Sequence, residues 1–134
     1  MDLSTTLEEQ LVSACRTGLG DTLRSVIVFG PDDWTLSYIR SDLQESESAL
    51  RDVKREIVEN ERMGFTSQET YRSLASDAEV GESLGKYHFT VRVFDHGYLA
   101  RVIVGETGVI ATTDEMNIDA FEDVATTLRK LLGD

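Results

Sequence analysis

The stretch Phe89-Thr90-Val91-Arg92-Val93-Phe94-Asp95-His96-Gly97-Tyr98-Leu99-Ala100-Arg101-Val102-Ile103-Val104, continued by Gly105-Glu106-Thr107-Gly108-Val109-Ile110-Ala111-Thr112-Thr113, decides the fold. β-branched and aromatic residues dominate it, and short polar, glycine-bearing clusters interrupt it. Phe89 to Phe94 reads as a strand, and Asp95-His96-Gly97 as a three-residue hairpin turn with Gly97 in the left-handed position. Tyr98 to Val104 is a second strand, Glu106-Thr107-Gly108 a second turn, and Val109 to Thr113 a third strand. With Phe94 opposite Tyr98, Val91 faces Arg101 and Arg92 faces Ala100, so both faces of the hairpin are largely apolar. Such a sheet needs cover on both sides.

Helical patterns supply that cover. Downstream, Asp119 with Glu122 opens a helix on which Ile118, Phe121, Ala125, Leu128 and Leu132 are expected to face the core. Arg129 and Lys130 sit near its negative end. At the other terminus, Thr5 with Glu8 reads as a capping box. Leu7, Leu11, Ala14, Cys15 and Leu19 follow at helical spacing, and Gly18 and Gly20 mark the stop. Ser25 to Phe29 is apolar on both faces and reads as an interior strand. The turn Gly30-Pro31-Asp32-Asp33 joins it to a half-buried strand on which Trp34, Leu36 and Tyr38 alternate with Thr35 and Ser37. Ser41 caps a long helix to about Met63, stopped by Gly64, with Leu43, Leu50, Val53 and Ile57 as its apolar stripe and Glu45, Glu47, Asp52, Glu56 and Glu59 as its cover. Within residues 65–85, Ser67 to Leu74 reads as a short helix and the rest as polar loop. The expected architecture is a single α+β domain over residues 1–134: a five-stranded antiparallel sheet flanked by helices, in the order α-β-β-α-β-β-β-α.

Charge is the most informative global property. Twenty-five acidic residues oppose thirteen basic ones, for a net charge of −12; Lys54, Lys86 and Lys130 are the only lysines, and the other basic residues are arginines. A charge so far from zero keeps a protein soluble but works against its compact state. At 1 M salt the Debye length falls to about 3 Å, which screens that repulsion. The composition resembles that of proteins from the salt-rich cytoplasm of halophilic archaea. The first residues carry no basic, apolar leader pattern, and no run approaches the roughly 20 apolar residues of a membrane span, so a cytoplasmic location without membrane contact is expected. Cys15 is the sole cysteine, which excludes an intrachain disulfide.

The element order resembles that of the roadblock/longin and profilin-like folds. The segments Val91 to Leu99 and Gly108-Val109-Ile110 through Phe121-Glu122-Asp123-Val124 look like those of a small haloarchaeal family of unknown function. The roadblock resemblance implies a module that dimerises and serves as a platform for small GTPases or other regulatory partners. The roughly twenty residues between the second helix and the third strand depart from that pattern, since such connections usually span a few residues.

No residue constellation points to catalysis. Asp95-His96 occupies a turn, where Asp is favoured for local hydrogen bonds. His88 and His96 have no metal-ligand spacing. Cys15 lies on an apolar stripe, where a free thiol behaves as a small hydrophobe. Gly18-Leu19-Gly20-Asp21 follows a helix, whereas a phosphate-binding loop precedes one, and Asp32-Asp33 falls short of a calcium loop. Arg51, Lys54, Arg55 and Arg62 are interleaved with glutamates, and phosphate contacts weaken steeply with salt, so no nucleic-acid partner is expected. Arg92 and Arg101 stand as weak ligand-binding candidates. No cofactor or metal is expected. The reading is a non-enzymatic regulatory or scaffolding module with a protein partner or a second copy of itself, most simply a homodimer; the alternatives are a small-molecule sensor and a transcription-associated regulator.

Overall fold

The computed structural model describes residues 3–43, 47–75 and 84–133. Nine labelled elements follow in order: α1 (Thr5–Leu19), β1 (Leu23–Phe29), β2 (Trp34–Ile39), α2 (Glu47–Glu61), α3 (Met63–Ala75), β3 (Thr90–Phe94), β4 (Gly97–Val104), β5 (Thr107–Thr113) and α4 (Ile118–Leu131). The strands form one antiparallel sheet in the spatial order β2-β1-β5-β4-β3. The expected sheet is present, and α3 fills much of the long connection after α2.

Two apolar layers cover the sheet. On one face α1 and α4 pack Leu11, Cys15, Phe121, Val124, Ala125 and Leu128 against Val26, Val28, Ala100, Val102 and Ala111. On the other face α2 and α3 bring Ile57, Val58 and Phe65 onto Ile27, Phe29, Leu99 and Ile110. The first layer is tight because Gly18 lets the two helices approach: a Cβ there would sit 2.2 Å from Val124 Cγ2. Gly18 therefore lies inside α1, which is stopped by Gly20 at φ +60°. The capping residue is Ser4, not Thr5; its hydroxyl accepts from the Leu7 amide at 3.0 Å. At α4 the cap is Asn117, and Ile118, expected in the core, is exposed.

Three local corrections set up the candidate site. First, the β3–β4 hairpin turns on two residues, Asp95 and His96, and Gly97 belongs to β4 without a positive φ. Phe94 pairs with Gly97, Arg92 with Leu99 and Thr90 with Arg101. This register is one residue away from the expected one, and such a slip changes which residues share a face. Second, the β4–β5 turn is Gly105-Glu106, with Gly105 at φ +57°, while Gly108 lies in β5 because Phe29 fills the space its side chain would need. Third, the long second helix is divided. Leu43 belongs to a short 3-10 turn, Ser41–Leu43, and Gly64 lies in the first turn of α3. Val53 points outward, and α2 instead lays Lys54, Ile57, Val58 and Glu61 towards the sheet. The Leu50 side chain and Glu45 lie outside the described residues, as does 76–83 of the expected loop.

The strand β2 alternates as expected only in part. A bulge between Val26 and Ile27 leaves Ser37 as an extra residue. Trp34 and Leu36 consequently pack with the α2 side, while Tyr38 packs with the α1 side beneath Arg16.

Candidate functional site, a buried ion cluster beside an open sheet edge

Because Arg92 pairs with Leu99 and Thr90 with Arg101, Arg92 and Arg101 project from the same face of the hairpin, towards α2. The carboxylate of Glu61, the last residue of α2, meets them there and is only 1% exposed. Arg92 Nε donates to both Glu61 oxygens, at 2.9 and 3.0 Å, and Arg101 Nη1 donates to Oε1 at 3.4 Å. Arg101 Nη2 also donates to Thr90 Oγ1 at 3.1 Å and to the Tyr87 hydroxyl at 3.4 Å, and those two hydroxyls bond to each other. The Glu61 hydrogen bond raises the Arg92 pKa above its ordinary value. Burial is compensated here by pairing, as it must be for charges removed from water.

Gly64 closes the cluster from above. A Cβ at this position would lie 2.6 Å from Arg101 Cζ and 2.7 Å from Nε. Among the described residues Arg101 Nε has no hydrogen-bond partner. Arg101 is 4% exposed, so a ligand would have to displace Glu61 or lift α3 to reach it. Arg92 is more open, with 38% of its side chain accessible. It borders a shallow groove of about 250 Å³ shared with Val53, Glu56, Asn60 and Phe94.

A second polar contact anchors the same helix. Lys54 Nζ donates to Ser25 Oγ at 3.1 Å, and Ser25 Oγ bonds Thr112 Oγ1 at 2.5 Å. Burial, with a smaller contribution from nearby Arg24, holds the Lys54 ammonium below its usual pKa. Lys54 is thus a buried group, not part of a surface basic patch. Arg55 pairs with Asp52, and Arg62 pairs with Glu59 while donating to the carbonyls of Gly30 and Asp33.

The remaining sequence candidates stay apart. Asp95 and His96 are exposed at the hairpin tip. His88 Nδ1 lies 2.5 Å from Glu122 Oε1 on the opposite side of the sheet from α2. Cys15 is fully buried, and desolvation pushes its thiol up to about 12. Among the described residues no group of three His, Cys, Asp or Glu side chains could hold a metal ion. Asp32 and Asp33 lie in the bend before β2, and Gly20 serves as a helix cap. Glu61 and Lys54 were not legible as site residues, although Lys54, Val58 and Glu61 share helical spacing with Ile57 and Phe65. That spacing was the available signal.

Beside this buried cluster lies an edge of the sheet that no other strand covers among the described residues. β3 ends the sheet, and Val93 (73%), Phe94 (58%) and Val53 (56%) are exposed along and beside it. An open edge flanked by apolar side chains is a ready template for pairing. A five-stranded antiparallel sheet between two pairs of helices defines an α+β domain with a roadblock/longin-like fold. A solved structure of the gliding protein MglB from Thermus thermophilus has the same fold: TM-score 0.56, 14% identity, covering 96% of this chain and 93% of that one. Residues 9–133 match the family described as "Domain of unknown function (DUF7522)", and the chain belongs to that family. No curated protein matches the chain. Among the described residues no helix is long and apolar enough to cross a membrane.

Proposed function

We propose that this chain is a non-enzymatic regulatory or scaffolding module that works through protein contacts and self-associates as a homodimer. The observation that carries the reading is the edge strand β3, which pairs on one side only among the described residues, with Val93 and Phe94 exposed on it and Val53 exposed on the adjoining helix. Natural sheets usually blunt such edges with charge, proline or a covering element. Here the edge carries one charge, Arg92, and that charge is tied to Glu61. The fold shared with MglB and the roadblock resemblance support a protein-interaction role. Nucleic acid is not a fitting partner for a chain of net charge −12 whose α2 basic residues are largely paired or buried.

The proposed setting is the salt-rich cytoplasm of a halophilic archaeon, supported by that same charge. Light scattering in 2 M KCl should give twice the 14.9 kDa chain mass. A monomer mass at high protein concentration would remove the reading. Dialysis into dilute buffer should unfold the chain; an unchanged far-UV spectrum and melting temperature would count against the salt-adapted setting.

A further inference from the structure

We infer that the groove between α1 and the end strand β2 is a binding site for a short peptide held by its two charged ends, the ammonium at Glu8 and the carboxylate at Arg16. The site lies at the opposite end of the sheet from β3 and does not depend on self-association. The groove encloses about 670 Å³, within the roughly 300–1,000 Å³ usual for ligand pockets.

An irregularity in β2 builds it. Consecutive strand residues normally point to opposite faces. The bulge opposite Val26 and Ile27 leaves Ser37 without a partner in β1, and both Ser37 and Tyr38 then reach α1. Ser37 Oγ donates to Glu8 Oε1 at 2.9 Å, and the Arg16 guanidinium lies over the Tyr38 ring, 5.0 Å from its centroid. Long charged side chains on an exposed helix ordinarily keep their rotamer freedom. These two are held before any ligand arrives, which lowers the cost of binding.

What both groups lack is an opposite charge. Among the described residues neither Glu8 nor Arg16 takes part in an ion pair. Eight residues of helix set them about 12 Å apart along the axis of α1. A ligand that satisfies both must therefore carry its own opposite charges on the order of 10 Å apart. An extended chain advances about 3.3 Å per residue, so three or four residues with free ends match that span and a single amino acid does not. Ser13 and Thr17 line the groove from α1, and β2 has no strand on its outer side among the described residues. Main-chain N–H and C=O groups of a peptide thus meet hydroxyls on one wall and a strand edge on the other. Glu9, exposed beside Glu8, adds a second carboxylate at the ammonium end.

Titration with trialanine tests the site. Amide chemical shifts report binding, at the lowest KCl concentration that keeps the native far-UV signal. Trialanine should give saturable shifts centred on α1, Ser37 and Tyr38. N-acetylated trialanine, C-amidated trialanine and free alanine should each bind at least about tenfold more weakly, because each loses a charge-assisted contact. Arg16→Gln should weaken trialanine by a similar factor yet leave the C-amidated peptide unaffected, and Glu8→Gln should do the same for the N-acetylated peptide. Each variant is first checked for native far-UV signal. Absence of saturable binding, shifts centred on other elements, or blocked peptides that bind as tightly as the free one overturn the inference. So does a folded variant that weakens free and blocked peptides alike. A monomer mass together with end-dependent binding would remove self-association and leave this site standing.

Discussion

Replacing Glu61 by Gln separates the two arginines that share it. Gln keeps the volume and one acceptor oxygen but removes the negative charge. Arg92, with 38% of its side chain accessible, can turn its guanidinium towards water. Arg101 cannot: it is 4% exposed, and Gly64 sits against its guanidinium. The cost is therefore set by Arg101, left as a buried cation with two hydroxyl acceptors. Removing one partner of a buried pair costs about 3–5 kcal/mol, and the retained amide oxygen places this variant near the lower end. For a chain of this size that corresponds to a melting temperature lower by roughly 10 °C. Adding Arg101→Met to Glu61→Gln should recover at least about 2 kcal/mol, because an apolar side chain of similar length removes the stranded charge. The Tyr87 and Thr90 hydroxyls it abandons still bond each other. Urea unfolding in 2 M KCl at fixed protein concentration, followed by far-UV signal and Trp34 fluorescence, reads the four corners of the cycle. A single-variant loss under about 1 kcal/mol, or a double variant no more stable than Glu61→Gln, would refute the assignment of the cost to Arg101.

Gly108→Ala should destabilise by about 2 kcal/mol or more, since its Cβ would lie 2.2 Å from Cζ of the buried Phe29 ring; Phe29→Leu in that background should return part of the loss in the same unfolding assay. Lys54→Met should match or exceed wild-type stability at pH 7 by up to about 1 kcal/mol. The folded-state pKa of Lys54 lies below its unfolded value of 10.5, so below that folded-state value the buried charge weighs on the native state, and the weight lifts as pH rises towards 10.5. The stability gap between the two proteins, measured by urea unfolding from pH 7 to 10, should narrow accordingly; a widening gap contradicts the burial argument. Cys15, fully buried with its thiol raised to about 12, should resist an aromatic disulfide reagent at pH 8 until denaturant is added, and rapid native-state labelling would show that the α1–α4 layer opens.

What local pattern could determine, it determined well. The β-branched runs between residues 90 and 113, punctuated by Asp95-His96 and Gly105-Glu106, specify three strands because alternation and turn chemistry act over a few residues. The amphipathic spacing of α1 and α4 likewise specifies helices whose apolar sides cover the sheet. Register was beyond that reach. Whether Gly97 ends a three-residue turn or begins β4 depends on β5, where the Thr113 carbonyl comes within 2.8 Å of the place a Cβ would occupy. That one-residue choice puts Arg92 and Arg101 on a common face. Helical pattern alone gives Lys54 and Glu61 no inward role, because a charge is ordinarily cheapest in water. Their partners, Ser25, Arg92 and Arg101, lie 29 to 40 residues away along the chain. Only folding brings those groups within hydrogen-bond distance, and it is this long-range pairing that turns an outward charge into an inward one.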